Sequence, residues 1–133
     1  SGASANADYF NVMRALLWSD WQRSGAPLRL KPRRAVELAT IEGAKVLGFG
    51  DVTGSLEAGK RADILLVRKT DINMAPVFDP YYALVFSAQP SNIDTVIADG
   101  RIVSRGGKAV GFDVDKIVRE ATTSALEIRG RVT

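Results

Sequence analysis

The chain has no histidine and no cysteine among its 133 residues. Histidine is the usual base near neutral pH, and with cysteine it is the usual ligand for zinc and other transition metals. Their joint absence excludes Ser-His and Cys-His nucleophile arrangements, most hydrolytic metal sites and any disulfide framework. There is no run of about 18 apolar residues and no charged-then-apolar leader, so neither a membrane span nor a secretory signal is predicted. The expected compartment is the cytoplasm.

What remains is 46% apolar and 25% charged, the composition of an ordinary globular domain. A chain of this length is expected to bury roughly two-thirds of the surface its unfolded form exposes. The net charge of +3 comes from Lys and Arg scattered among carboxylates. The tightest basic group, Arg29, Lys31, Arg33 and Arg34, reads as a solvated approach to a helix rather than a phosphate patch, because no aromatic residues interleave with it. No nucleic-acid partner is expected. The close carboxylate pair Asp113 and Asp115 stands at a predicted helix start, where capping and the helix dipole account for it.

Apolar residues Tyr9, Val12, Met13, Leu16 and Leu17 recur at three- and four-residue spacing and predict an amphipathic helix from Asp8 to about Ser24, closed by Gly25 and Pro27. Trp18 and Trp21 add a large apolar payload that suits core or interface packing better than a ligand cleft. Pro32 opens a second helical stretch running to Leu47, with a break expected at Gly43. Ala62 to Arg68 reads as a buried strand, and Pro80 to Ser87 as one or two helical turns. Two alternating strands flank Asp99-Gly100, a dipeptide that favours a tight hairpin turn. From Asp113 onward, Val114, Ile117, Val118, Ala121, Ala125 and Ile128 keep one helix face for about four turns.

The stretch Gly54 to Arg61, GSLEAGKR, has the spacing of a phosphate-binding loop. Such a loop needs Ser or Thr after its lysine, a strand before it and a helix after it. Here Arg61 follows Lys60, and the order of helix and strand is reversed, so nucleotide binding is rejected.

Five blocks in order resemble the C-terminal third of the metal-dependent amidohydrolases, the family of cytosine, guanine and adenosylhomocysteine deaminases and triazine chlorohydrolases. NADYFNVMR (6–14) is similar to the family's N-x-D-x-F-x-x-M-R helix start. AVELATIEGAKVLGF (35–49) and GSLEAGKRADILLV (54–67) resemble its A-T-x-x-G-A-x-x-L-G and G-S-L-E-x-G-K-x-A-D blocks. PVFDPYYALVFSA (76–88) and DTVIADGRIVSRGG (94–107) resemble D-P-x-x-x-L-V-x-S-A and V-x-V-D-G-x-x-V, with Ala98 in place of the second valine.

The resemblance implies an α+β fragment: terminal helices of a (β/α)8 barrel plus the C-terminal strands of a small composite β-sandwich. It divides the chain into 1–50, the end of the barrel; 51–112, part of the sandwich with hairpin 93–105; and 113–133, a C-terminal helix. The implied parent enzyme hydrolyses C–N or C–halogen bonds of a cyclic, heteroaromatic or amide small molecule with zinc or iron. The family's metal-ligating histidines all lie upstream, so this chain alone is expected to hold no metal, no cofactor and no catalytic residue. In the triazine hydrolase branch a serine follows the last ligand aspartate by four residues. Ser4 matches it if that aspartate directly precedes Ser1, and Ser4, Ser1 and Asn6 would then line the substrate pocket. The alternative is a disordered terminus with no site role. Expected partners are the missing barrel of the same protein and further copies of the chain. The competing functional reading is a non-catalytic assembly module that pairs with a separate barrel chain.

Overall fold

The computed structural model of the chain describes residues 8–132. Helix α1 (Tyr9–Ser24) starts where Asp8 turns out of the helical backbone, and its Oδ1 accepts the Phe10 amide at 2.9 Å. Gly25 closes the helix in the left-handed conformation, φ +66°, its N–H returning to the Trp21 carbonyl. This is the expected helix, but its buried face differs from the expected one. Phe10, Met13 and Leu17 turn inward, while Tyr9 and Val12 stay exposed. Apolar residues cover more than one side of α1, so spacing alone did not choose the inner stripe.

Helices α2 (Pro32–Ala39) and α3 (Ile41–Val46) are separated at Thr40, not at Gly43. The Thr40 hydroxyl donates to the Val36 carbonyl at 2.7 Å, and its backbone leaves the helical region at φ −125°, ψ −100°. A side chain that competes for a backbone carbonyl breaks the helix here more effectively than a glycine. Gly54, by contrast, is required. Its φ is +93°, and an added Cβ would stand 2.8 Å from both the Ile41 Cα and the Ala44 Cβ, so the loop it belongs to lies directly on α3.

Strand β1 (Ile64–Val67) is shorter than expected and is not buried, with Leu65 49% and Leu66 48% exposed. It pairs antiparallel with β2 (Ile93–Ala98), Ile64 facing Ile97. The tight turn at Asp99 and Gly100, both at positive φ, joins β2 to β3 (Arg101–Arg105) as expected. A short β4 (Lys108–Ala109) completes a four-stranded antiparallel sheet in the order β1-β2-β3-β4, whose edges are β1 and β4.

Between β1 and β2 the chain forms α4 (Pro80–Tyr82), capped by Asp79, which runs into a wide π-helical turn over Ala83–Ser87. Helix α5 (Val114–Val132) follows the sheet, and Asp113 caps it by accepting the Lys116 amide at 2.9 Å. The buried core is small: Phe10, Met13 and Leu17 of α1, Ala35 of α2, and Met74, Ala83, Val85 and Ala88. It lies between helices and the 74–88 segment, with the sheet attached through the partly buried Val67, Ile93 and Leu84.

The accessible surface is 10143 Å², against roughly 6800 Å² for a compact monomer of this mass. Roughly half of the unfolded chain's surface is removed from water, not the expected two-thirds. Trp18 and Trp21 show the shortfall, at 55% and 48% exposed. They are not core residues of this chain. No helix among the described residues is long and apolar enough to cross a membrane.

Candidate functional site

Asp8 lines an apolar cleft of about 500 Å³ between α1, α2 and the sheet. Phe10, Met13, Val36, Leu65, Val67, Leu84 and Ile93 form its walls, with Asp8 and Thr40 among the few polar members. Asp8 is buried and committed: Oδ1 holds the Phe10 amide, and Oδ2 accepts from the Asn11 side chain at 2.7 Å. A second opening of about 650 Å³ continues along Tyr9, Leu38, Leu47, Phe49 and Leu65 beside α3. Leu65 lines both. Two adjoining, mainly apolar openings thus share Leu65 of β1, a surface suited to packing rather than to bond-breaking.

The polar groups of the fold are tied to each other. Asn92, 2% exposed, donates to Asp71 Oδ2 at 2.8 Å and to Asn73 Oδ1 at 2.9 Å, while its own Oδ1 accepts from Asn73 Nδ2 and from the Gln89 amide. Arg68 closes the cluster, with Nε at 3.2 Å from both Asp71 carboxylate oxygens and its guanidinium also on the Ser91 carbonyl. The Asn92 hydrogen bond and then Arg68 hold the Asp71 carboxyl below its usual range. This joint locks the end of β1 to the turn before β2. Its members are ordinary loop residues in sequence, and only their meeting in space identifies them.

The other carboxyls held below their usual range are likewise engaged. Asp63 is lowered by the Asp99 N–H and then the Thr53 hydroxyl, Glu37 by Arg33 and then Arg34, and Glu57 by Ser55 and then Lys60. In the GSLEAGKR loop, Lys60 Nζ donates to the Gly50 carbonyl at 2.7 Å and the Ser55 hydroxyl at 2.6 Å. With β1 following and α3 preceding, the loop is a lysine-stapled turn and not a phosphate cradle.

Ser1, Ser4 and Asn6, the expected pocket residues, lie outside the described residues. Among the described residues, no group of three or more His, Cys, Asp or Glu is placed to hold a metal ion. With no imidazole or thiolate in the sequence, they do not fit a zinc or iron centre.

Helices joined to an antiparallel sheet around an apolar cleft make up the described residues. The amidohydrolase family model matches residues 5–103, and the chain belongs to that family. It is 37% identical over 129 residues to a 5-methylthioadenosine/S-adenosylhomocysteine deaminase of Desulforudis audaxviator, covering 96% of this chain and 30% of that protein. It is 33% identical over 126 residues to a 5'-deoxyadenosine deaminase of Methanosarcina acetivorans, covering 95% of this chain and 29% of that protein. Among solved structures, a zinc-bound adenosine deaminase of Xanthomonas campestris superposes with TM-score 0.85 at 25% identity, over 91% of this chain and 28% of its own length. The zinc-complexed atrazine chlorohydrolase of Arthrobacter aurescens gives TM-score 0.74 at 25% identity, over 86% and 25% respectively. The chain thus spans less than a third of the relatives it matches.

Proposed function

We propose that the chain is the C-terminal portion of a metal-dependent hydrolase that cleaves C–N or C–halogen bonds of a cyclic nitrogen-rich small molecule. In this reading α1, α2 and α3 complete a (β/α)8 barrel, the sheet of 51–112 completes a small β-sandwich, and 113–133 is an appended helix. Adenosine-like compounds are the leading substrates because the deaminase relatives share the larger identity, and triazines come second. The metal, zinc before iron, and the catalytic groups belong to the upstream part. This chain contributes walls and, through Ser1, Ser4 and Asn6, the rim of the substrate pocket. The cytoplasm is the proposed compartment.

The observation that carries this reading is the accessible surface, about half again that of a compact monomer of this mass, with large apolar residues such as Trp18, Trp21, Leu65 and Leu66 left about half exposed. A chain whose motifs resemble one end of a longer family, and which leaves large apolar residues uncovered, is best explained as that end. The same faces, the Trp18 and Trp21 side of α1 and the open sheet edges, support self-association when the upstream part is absent.

The test assays the purified chain for zinc content and for ammonia release from 5'-deoxyadenosine, alone and with the polypeptide encoded upstream. The expected result is no stoichiometric zinc and no turnover alone, with both appearing in a single continuous polypeptide. Activity of the chain alone would sink the reading. Activity only on mixing two separate native polypeptides would favour the assembly-module reading.

A further inference from the structure

Helix α5 is exposed at every residue whose side chain is described, Val114 to Arg131, although it carries an ordered apolar seam. Val114, Val118, Ala121, Ala125 and Ile128 follow alternating steps of four and three residues, the spacing of a coiled-coil seam, and Ile117 widens the apolar face near its N-terminal end. Among them Val118 is 57% and Ile128 62% exposed.

We propose that α5 is a self-association device, pairing antiparallel with α5 of a second copy about a twofold axis near Thr123. The seam is complementary to its own reversal. Turned about Thr123, Val118 of one copy faces Ile128 of the other, and Ala121 faces Ala125, so large residues meet large ones at the ends and small ones meet at the middle. A twofold contact requires this reciprocity. The small central layer lets the backbones approach closely.

Charge selects the orientation. Asp115 and Arg129 flank the seam on the same side, one near each end. In the antiparallel arrangement Asp115 of each copy lies beside Arg129 of the other, giving two opposite-charge pairs and no like-charge pair on that side. Ile117, on the other flank, lies against the aliphatic stem of Arg131 of the second copy. A parallel pair would instead set this flank against the opposite flank of the partner, leaving Arg129 beside Ser124 and forfeiting both Asp115–Arg129 pairs, and it would align the two helix dipoles unfavourably. Leu126 lies off the seam and takes no part. The proposal uses a helix beyond residues 5–103 of the family model, although the deaminase relatives align over 95–96% of the chain and so extend into it, and it rests on this face staying uncovered in the longer protein.

Because the chain has no cysteine, introduced thiols report the geometry without background. Purified Ala121→Cys and Ala125→Cys chains, mixed in equal amounts under a glutathione redox buffer, should yield mixed disulfide in excess of the two homodisulfides by about tenfold, because only the antiparallel layer puts these two positions together. In sedimentation equilibrium, Ala121→Glu should weaken dimerisation at least about tenfold. Asp115→Arg should weaken it less, and Asp115→Arg with Arg129→Asp should restore it. These exposed positions leave the monomer's fold intact, which circular dichroism checks. Predominance of homodisulfides, a chain that stays monomeric at millimolar concentration, or a dimer indifferent to Ala121→Glu would each overturn the proposal. The last would assign the interface to the Trp18 and Trp21 face or the sheet edge.

Discussion

The Asp63 carboxylate accepts the backbone N–H of Asp99 at 2.8 Å across 36 residues of sequence. Its other oxygen accepts the Thr53 hydroxyl at 2.7 Å, and the neighbouring Ala62 carbonyl takes the Gly100 N–H at 3.0 Å. The aspartate that ends the GKRAD segment therefore holds the turn of the ADG segment and the glycine loop on α3 in one joint. Two sequence blocks that look independent are halves of one structural unit.

Replacing Asp63 with Asn should lower the melting temperature, because an amide is a weaker acceptor for the Asp99 N–H and Thr53 hydroxyl. The loss should depend on pH. Those donors hold the Asp63 carboxyl below its usual range, so its contribution is present above the unfolded-state value, about 3.9, and is lost as pH falls through the lower folded value. Melting curves should give a constant gap between parent and variant from about pH 7 to 5, closing below about pH 4. A gap that widens in acid would contradict the assignment.

Gly100 has φ +77° behind Asp99 at +49°, the paired positive angles of a two-residue hairpin turn. Gly100→Val should cost roughly 1 kcal/mol or more, since a β-branched residue resists that conformation. An Ala substitution should cost less than Val. Chemical denaturation of both variants checks the order, and equal stability of Val and parent would show that the turn relaxes to another type.

Asn92 is the hub of the buried joint, and its removal strands several partners at once. Asn92→Ala should destabilise by about 2 kcal/mol, because the Gln89 amide and the Asn73 side chain lose the hydrogen-bond partner that the buried Asn92 supplies. Asn92→Asp should be nearly as damaging at neutral pH, where a second carboxylate faces Asp71, and less so in acid. Urea unfolding at two pH values separates these effects, and a neutral Asn92→Ala would mean that water replaces the amide without penalty.

The sequence showed local geometry more clearly than it showed burial. The Asp113 cap, the Asp99-Gly100 hairpin and the turn at Gly25 are visible because each depends on the intrinsic behaviour of one or two residues. The break at Thr40 is not legible in the sequence because a hydroxyl bonded to Val36 leaves no periodic signature. The inner stripe of α1 and the exposure of β1 are not legible for a different reason. Both carry apolar residues on sides that this chain does not cover, so pattern alone assigned Tyr9, Val12, Leu65 and Leu66 to an interior that these residues do not enter. The Asp71, Asn73 and Asn92 cluster could not be read at all, since its members come together only through tertiary folding.

Trp18 and Trp21 are the only tryptophans in the chain, so its fluorescence reports on one face of α1. They lie three residues apart on the helix and line, with Leu17, Tyr82 and Phe86, a shallow pocket of about 200 Å³. With about half of each ring system in water, the emission of the dilute chain should be red-shifted and readily quenched by acrylamide. Covering that face with the upstream polypeptide should shift the emission to the blue and reduce quenching severalfold, because an apolar protein surface replaces water around both indoles. The α5 pairing proposed above should leave this signal nearly unchanged, since α5 carries no tryptophan. Blue-shifted, poorly quenched emission from the dilute monomer would instead mean that both rings are buried by this chain's own residues, removing the reason to assign that face to a partner.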